Sequence, residues 1–180
     1  MVDISLHTYK PGENTSALNA AHKFRLAKKS NNDTTTILRL WQVDKKKVLK
    51  NFSNAIKEHF EENAVFAIAI APSNTNYFID DIKEHLQTIF PNSINISNCF
   101  TKINGFEAGI INRVLTTEEL RNSILLDSDC FRGNVTTELN QILLVDDVYS
   151  LGNTFNAMKL VISEIDNTKE LITAAILKTT

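Results

Sequence analysis

Residues 142–154 read ILLVDDVYSLGNT, and this stretch decides how the rest of the chain is read. Ile142, Leu143, Leu144 and Val145 form a short apolar run of the kind that builds a strand buried on both faces. The run meets two carboxylates, Asp146 and Asp147, where the strand is expected to stop. A small-residue loop follows, and Gly152, Asn153 and Thr154 are expected to open a helix whose apolar face holds Met158, Val161, Ile162 and Ile165.

Each part of this segment has a chemical use. Paired carboxylates accept hydrogen bonds from vicinal hydroxyls. They also hold hydrated Mg²⁺, which favours oxygen ligands and keeps its waters. Successive strand side chains point to opposite faces, so both acids serve one ligand only if the backbone begins to turn at them. A helix N-terminus offers free N–H groups and a partial positive charge, which together bind phosphate. Gly152 permits positive φ and a close backbone approach, and Ser150, Asn153 and Thr154 can add side-chain hydrogen bonds. A diol-binding end and a phosphate-binding end a few residues apart describe a cradle for ribose 5-phosphate.

Outward from this segment, apolar runs alternate with helical patterns. Residues 64–71 (AVFAIAIA) form a strand-length apolar run that ends at Pro72, which cannot continue a central strand. Pro72, Ser73, Asn74 and Thr75 therefore form a loop at that strand's carboxyl end, with Ser73 or Asn74 equally suited to capping the next helix. Val48, Leu49, Phe52, Ile56 and Phe60 mark a preceding amphipathic helix, and Phe78, Ile79, Ile82, Leu86 and Ile89 mark a following one that Pro91 breaks. Residues 94–100 predict a further strand. Thr116 with Glu119 forms a capping box for a helix to about Leu125, residues 127–137 are polar, and residues 171–177 give a last strand. Alternation of this kind predicts an α/β domain with a mainly parallel central sheet flanked by helices, Rossmann-like in general form. Ligands of such sheets bind beyond the strands' carboxyl ends at a topological switch point, and both loops are expected at such ends.

The polar first 34 residues predict an irregular arm, leaving residues 35–180 as one domain; residues 35–43 (TTILRLWQV) open it, with Trp41 in the core. A chain of 180 residues with 43% hydrophobic and 22% charged residues suits one globular unit. The net charge of −2 gives no global pull toward nucleic acid, although basic residues cluster at 23–29 and 45–50. No apolar run has the length of a membrane span, and the opening MVDISLHTYK lacks the apolar core of a signal peptide. The expected location is the cytoplasm. Cys99 and Cys130 fall short of a disulfide framework or a structural zinc site and read as buried or reduced thiols. His7, His22, His59 and His85 are scattered without metal-ligand spacing. Two other families with a VDD strand do not fit. A Walker B strand needs an upstream GxxxxGK[ST], absent among five glycines, and the 33 residues after Asp147 are too few for the rest of a response-regulator receiver.

The segment ILLVDDVYSLGNT closely resembles the phosphoribosyl pyrophosphate (PRPP) motif of type I phosphoribosyltransferases, and within them the ComF-type branch. The weaker resemblance spans residues 64–180: residues 64–75 take the place of the first core strand and pyrophosphate loop, residues 115–122 resemble the region after the flexible catalytic loop, and AAILKTT at the end resembles the closing strand. The resemblance implies a type I phosphoribosyltransferase fold, PRPP as ligand with Mg²⁺ as cofactor, and transfer of phosphoribose to a base nitrogen with release of pyrophosphate. Asp146 and Asp147 would engage the ribose hydroxyls as catalytic residues and hold Mg²⁺ through water. Ser150, Leu151, Gly152, Asn153 and Thr154 would hold the 5-phosphate, and Pro72, Ser73, Asn74 and Thr75 the pyrophosphate. A homodimer is the family default.

This sequence departs from that pattern in places. Leu151 stands where the family has a small hydroxyl residue, removing a hydrogen bond worth roughly 1 kcal/mol. Ser150 replaces the acidic residue of the purine-salvage branch. Residues 72–75 carry no cation, the candidate loop cations are Lys102, Arg113, Arg121 and Arg132, and no cysteine-rich zinc module precedes the domain. A non-catalytic PRPP- or nucleotide-sensing module is therefore the alternative, and a nucleic-acid-associated module using the lysine clusters is a third reading.

Overall fold

The computed structural model describes residues 3–9, 45–60, 64–72, 77–103, 115–149 and 151–179. Trp41, the basic cluster at 23–29, Ser73, Asn74, Thr75, Arg113 and Ser150 lie outside the described residues. A five-stranded sheet, all of whose described pairings are parallel, organises them. Its strands are β1 (Asp3–Tyr9), β2 (Ala67–Ile70), β3 (Ile94–Asn95), β6 (Gln141–Tyr149) and β7 (Glu170–Thr179), in the spatial order β1-β7-β6-β2-β3. Strands β4 (Phe100–Lys102) and β5 (Ile124–Leu126) pair antiparallel as a separate small sheet.

The apolar periodicities become two cores, one on each face of the sheet. Helices α1 (Lys45–Lys57) and α2 (Tyr77–Ile89) cover the first face, where Leu49, Phe52, Ile56, Ile82 and Leu86 meet Ile68, Ile70, Leu143 and Val145. Phe60 and Phe66 stack at 4.0 Å between centroids, and Phe90 meets Phe66 edge-on. Helix α5 (Asn153–Ser163) covers the second face with Phe155, Ala157, Met158, Val161 and Ile162 against Ala67, Ala69, Ile142 and Leu144. Strands β2 and β6 are thus buried on both sides, as their unbroken apolar runs require.

Five expectations need correction. Residues 3–9, inside the segment read as irregular, form β1, pairing with β7 from Asp3↔Thr173 to Tyr9↔Thr179. The alternation of Ile4 and Leu6 puts both against the first core. Residues 94–100 do not form one strand. Asn95 Oδ1 accepts from the Ser97 amide and Ser97 Oγ accepts from the Ile70 amide, turning the chain through a 3₁₀ turn (Ser97–Cys99) into β4. Helix α3 (Thr117–Ser123) has the expected capping box but ends before Leu125, and the chain becomes β5. Within the polar stretch 127–137, Asp127 caps α4 (Ser128–Asn134) by accepting from the Asp129 and Cys130 amides, and Phe131 anchors the helix in the core. Finally, Cys99 and Cys130 are not separate thiols. The β4–β5 pairing brings residues 31 apart in sequence together, and the two form a disulfide with Cα atoms 5.4 Å apart.

Among the described residues no helix is long and apolar enough to cross a membrane.

Candidate functional site at the carboxyl end of the sheet

The connections place a switch point between β2 and β6. From β2 the chain passes through α2, on the first face, outward to β3. From β6 it passes through α5, on the opposite face, outward the other way to β7. The two crossovers diverge from neighbouring strands, the arrangement at which open α/β sheets place their ligands beyond the carboxyl ends. Asp146, Asp147 and Pro72 all lie at that end, because Ile70 pairs with Val145 and the Ala71 amide donates to the Val145 carbonyl at 2.8 Å.

The strand does not stop at the acids, as the sequence suggested. Strand β6 runs on to Tyr149, paired with β7 through Tyr149↔Lys178, while its described pairing with β2 ends at Val145. The extra pairing with β7 satisfies backbone groups that a turn at Asp146 would have left without partners. It also leaves a step in the sheet, with Asp146 to Tyr149 standing beyond the end of β2. Strand alternation then puts Asp146 in the row of Ile142 and Leu144, and Asp147 in the row of Leu143 and Val145. The two carboxylates do not share a face. Asp146 is 9% and Asp147 3% exposed, so both are held out of bulk water. Asp146 Oδ1 accepts from the Asp147 amide at 2.8 Å.

The connection after β6 leads into α5 through a left-handed glycine. Gly152 is the N-cap of α5, with φ 74° and ψ 5°. It has no side chain to cap the first-turn amides, so these N–H groups and the positive end of the helix dipole are directed at the turn. A Cβ on Gly152 would lie 2.6 Å from Tyr149 Oη, so the tyrosine closes down on the glycine backbone. Tyr149 in turn stacks on Phe155 at 5.7 Å, with Lys178 Nζ 5.3 Å from its ring centroid. Leu151 points outward, 66% exposed.

The structure reassigns several residues. Asn153, expected to reach phosphate through its side chain, spends that amide elsewhere: Nδ2 donates to the Leu115 carbonyl at 2.8 Å and Oδ1 accepts from Thr117 Oγ1 at 3.2 Å. Its contribution to an anion is confined to its backbone N–H. Thr154 sits half-buried in the first turn. Arg121 is not a cation for this site. Its guanidinium grips Glu164 with Nε and Nη2 at 3.0 and 2.7 Å from Oε1, and this hydrogen bonding, reinforced by the opposite charge, raises its pKa further. Glu164 lies past the far end of α5, roughly 18 Å from Gly152 at about 1.5 Å per residue. Lys102 is half-buried on β4 and Arg132 is exposed on α4. The cation that the sequence reading missed is Lys178. Its signal was its place directly after Leu177, the last residue of the apolar AAIL run on β7, but only the register to Tyr149 brings it beside that ring.

Among the described residues no three potential metal ligands cluster. Asp146 and Asp147 point to opposite faces of the sheet, so the two carboxylates do not converge on a single ion. No protein-family model matches this chain, and no curated protein matches it either.

Proposed function

We propose that this protein binds PRPP with Mg²⁺ in the crevice between β2 and β6 and transfers its phosphoribosyl group to a nitrogenous acceptor, releasing pyrophosphate. The observation that carries this reading is the coincidence of three features at one switch point. Buried acids stand beyond the end of β2, a helix start with a glycine N-cap follows within the same connection, and Pro72 stands at the neighbouring strand end. A ribose 5-phosphate fits that order, with its hydroxyls toward the carboxylates and its phosphate on the turn at Gly152.

Within this reading each residue has one task. Backbone amides at the start of α5 bind the 5-phosphate. Asp146, on the α5 side, accepts hydrogen bonds from the ribose hydroxyls, and Asp147, on the opposite face, contributes the backbone N–H that donates to Asp146 Oδ1 and holds that carboxylate in place. As pyrophosphate leaves, positive charge develops on the sugar ring, and fixed carboxylates in a low-dielectric crevice stabilise it electrostatically. Mg²⁺, held through water by Asp146, would supply charge neutralisation on the pyrophosphate. Type I phosphoribosyltransferase architecture and a homodimer belong to the same proposal.

A sensor that binds PRPP without turnover is favoured by two specific features: Leu151 at the phosphate turn, and the lack of any Lys or Arg in residues 72–75 and 150–154. Calorimetric titration of PRPP and Mg²⁺ into the wild type and an Asp146→Asn/Asp147→Asn variant, with pyrophosphate release measured in parallel against a panel of bases, separates the readings. Binding and release that both vanish in the variant support the transferase. Binding without release for any base supports the sensor, and no binding to folded wild type ends both.

A further inference from the structure

The disulfide joins the 3₁₀ turn before β4 to α4, closing the stretch of chain that carries β4, α3 and β5. Cys99 immediately precedes β4, and Cys130 follows β5 by four residues. The Asp127 amide donates to the Cys99 carbonyl at 2.9 Å, so the two ends also meet through the backbone. Among the described residues between them, β4 and β5 pair with each other and not with the main sheet, while Phe100 and Ile124 pack into the second core. The same stretch carries α3, which docks along α5, with Asn153 bonded to the Leu115 carbonyl and the Thr117 hydroxyl at the end beside Gly152 and Arg121 paired with Glu164 at the far end. The bond between Cys99 and Cys130 is thus the covalent base of the unit that holds Asn153.

We propose that the Cys99–Cys130 disulfide is a redox latch: oxidised, it fixes α3 against the start of α5, and reduced, it releases that contact and loosens the turn at Gly152. The two sulfurs differ in access. Cys99 is fully buried, whereas Cys130 is half-buried at the surface end of α4. A dithiol reductant therefore attacks Cys130 Sγ. The sulfur–sulfur bond breaks, Cys99 departs as a thiolate and takes up a proton, and a mixed disulfide remains on Cys130. The reductant's second thiolate attacks its own sulfur in that mixed disulfide, freeing Cys130 as a thiol and closing the reductant into a cyclic disulfide. Two electrons and two protons pass from the dithiol to the protein. In reducing compartments such bonds are transient and serve sensing more often than stability. The latch does not depend on which ligand the turn binds.

Hydrogen exchange resolved by residue tests it on the full chain, oxidised, reduced with dithiothreitol, and as a Cys99→Ser/Cys130→Ser variant. Mass analysis after alkylation first establishes whether the oxidised protein has blocked thiols; free, alkylatable cysteines in air-oxidised protein overturn the proposal. On reduction, amides of residues 115–123 and of Asn153 are expected to exchange faster by about tenfold or more, while those of β6 keep their protection. The double variant is expected to exchange like the reduced protein and to ignore dithiothreitol. Unchanged exchange at residues 115–123 after complete reduction overturns the latch. Loss of protection throughout β6 overturns it too, because the bond would then hold the whole fold rather than one contact.

Discussion

Replacing Gly152 by alanine is expected to destabilise the fold through two separable causes. The first is backbone strain, because φ 74° is the left-handed region, which costs an L-residue with a Cβ about 1–2 kcal/mol. The second is steric. The new Cβ would stand 2.6 Å from Tyr149 Oη and 2.9 Å from Cζ, so the ring must move. That ring is not free to swing at no cost, since it stacks on Phe155 and carries Lys178 over its face. Such an aromatic pair is worth about 0.5–1.5 kcal/mol. The two causes together give about 2–3 kcal/mol, and at roughly 2–4 °C per kcal/mol for a chain of this size Tm falls by about 4–12 °C. A double-mutant cycle measured by denaturant unfolding tests the partition. In a Tyr149→Ala background the steric part is gone, and Gly152→Ala should cost only its backbone part. A coupling energy of about 1 kcal/mol is therefore expected between the two sites. Additivity within about 0.3–0.5 kcal/mol would refute the closure of Tyr149 on the glycine, and a total loss under about 0.5 kcal/mol would refute the left-handed turn as well.

Asn153→Ala should lower stability by about 1–2 kcal/mol, since it leaves the Leu115 carbonyl and the Thr117 hydroxyl without their partner; equal unfolding midpoints for variant and wild type would contradict the reassignment of this side chain. Acid sensitivity should include a contribution from Asp166, whose carboxyl is held below its usual pKa by the Thr168 side-chain and backbone hydrogen bonds and then by the Lys169 charge. The sign follows from that depression: the stabilisation is complete above about pH 4, the unfolded value, and is lost as pH falls through the depressed folded value. Thermal melts of wild type and Asp166→Ala should therefore differ most at neutral pH and converge in acid, and a gap that widens in acid would be the wrong sign.

The segment 142–154 carried a strand, two acids, a glycine turn and a helix in its residue types alone, because burial on both faces demands an unbroken apolar run and a left-handed N-cap demands glycine. The capping box at Thr116 and Glu119 was legible for the same local reason. Even β1 lay open in the alternation of Ile4 and Leu6, hidden only by the polar residues that follow. What the sequence could not fix were the outcomes of long-range pairing. How far β6 extends past Asp146 depends on a partner, β7, some 30 residues away, and that extension sends the two carboxylates to opposite faces. The side chain of Asn153 had a plausible ligand role until α3 docked beside it. Cys99 and Cys130 became a bonded pair only because β4 and β5 fold back on one another. The chain's own residues determined its periodicities, caps and turn, since these are written over a few neighbouring positions. Register, docking and pairing were decided by the tertiary structure, since each depends on surfaces that come together only when distant segments share a core.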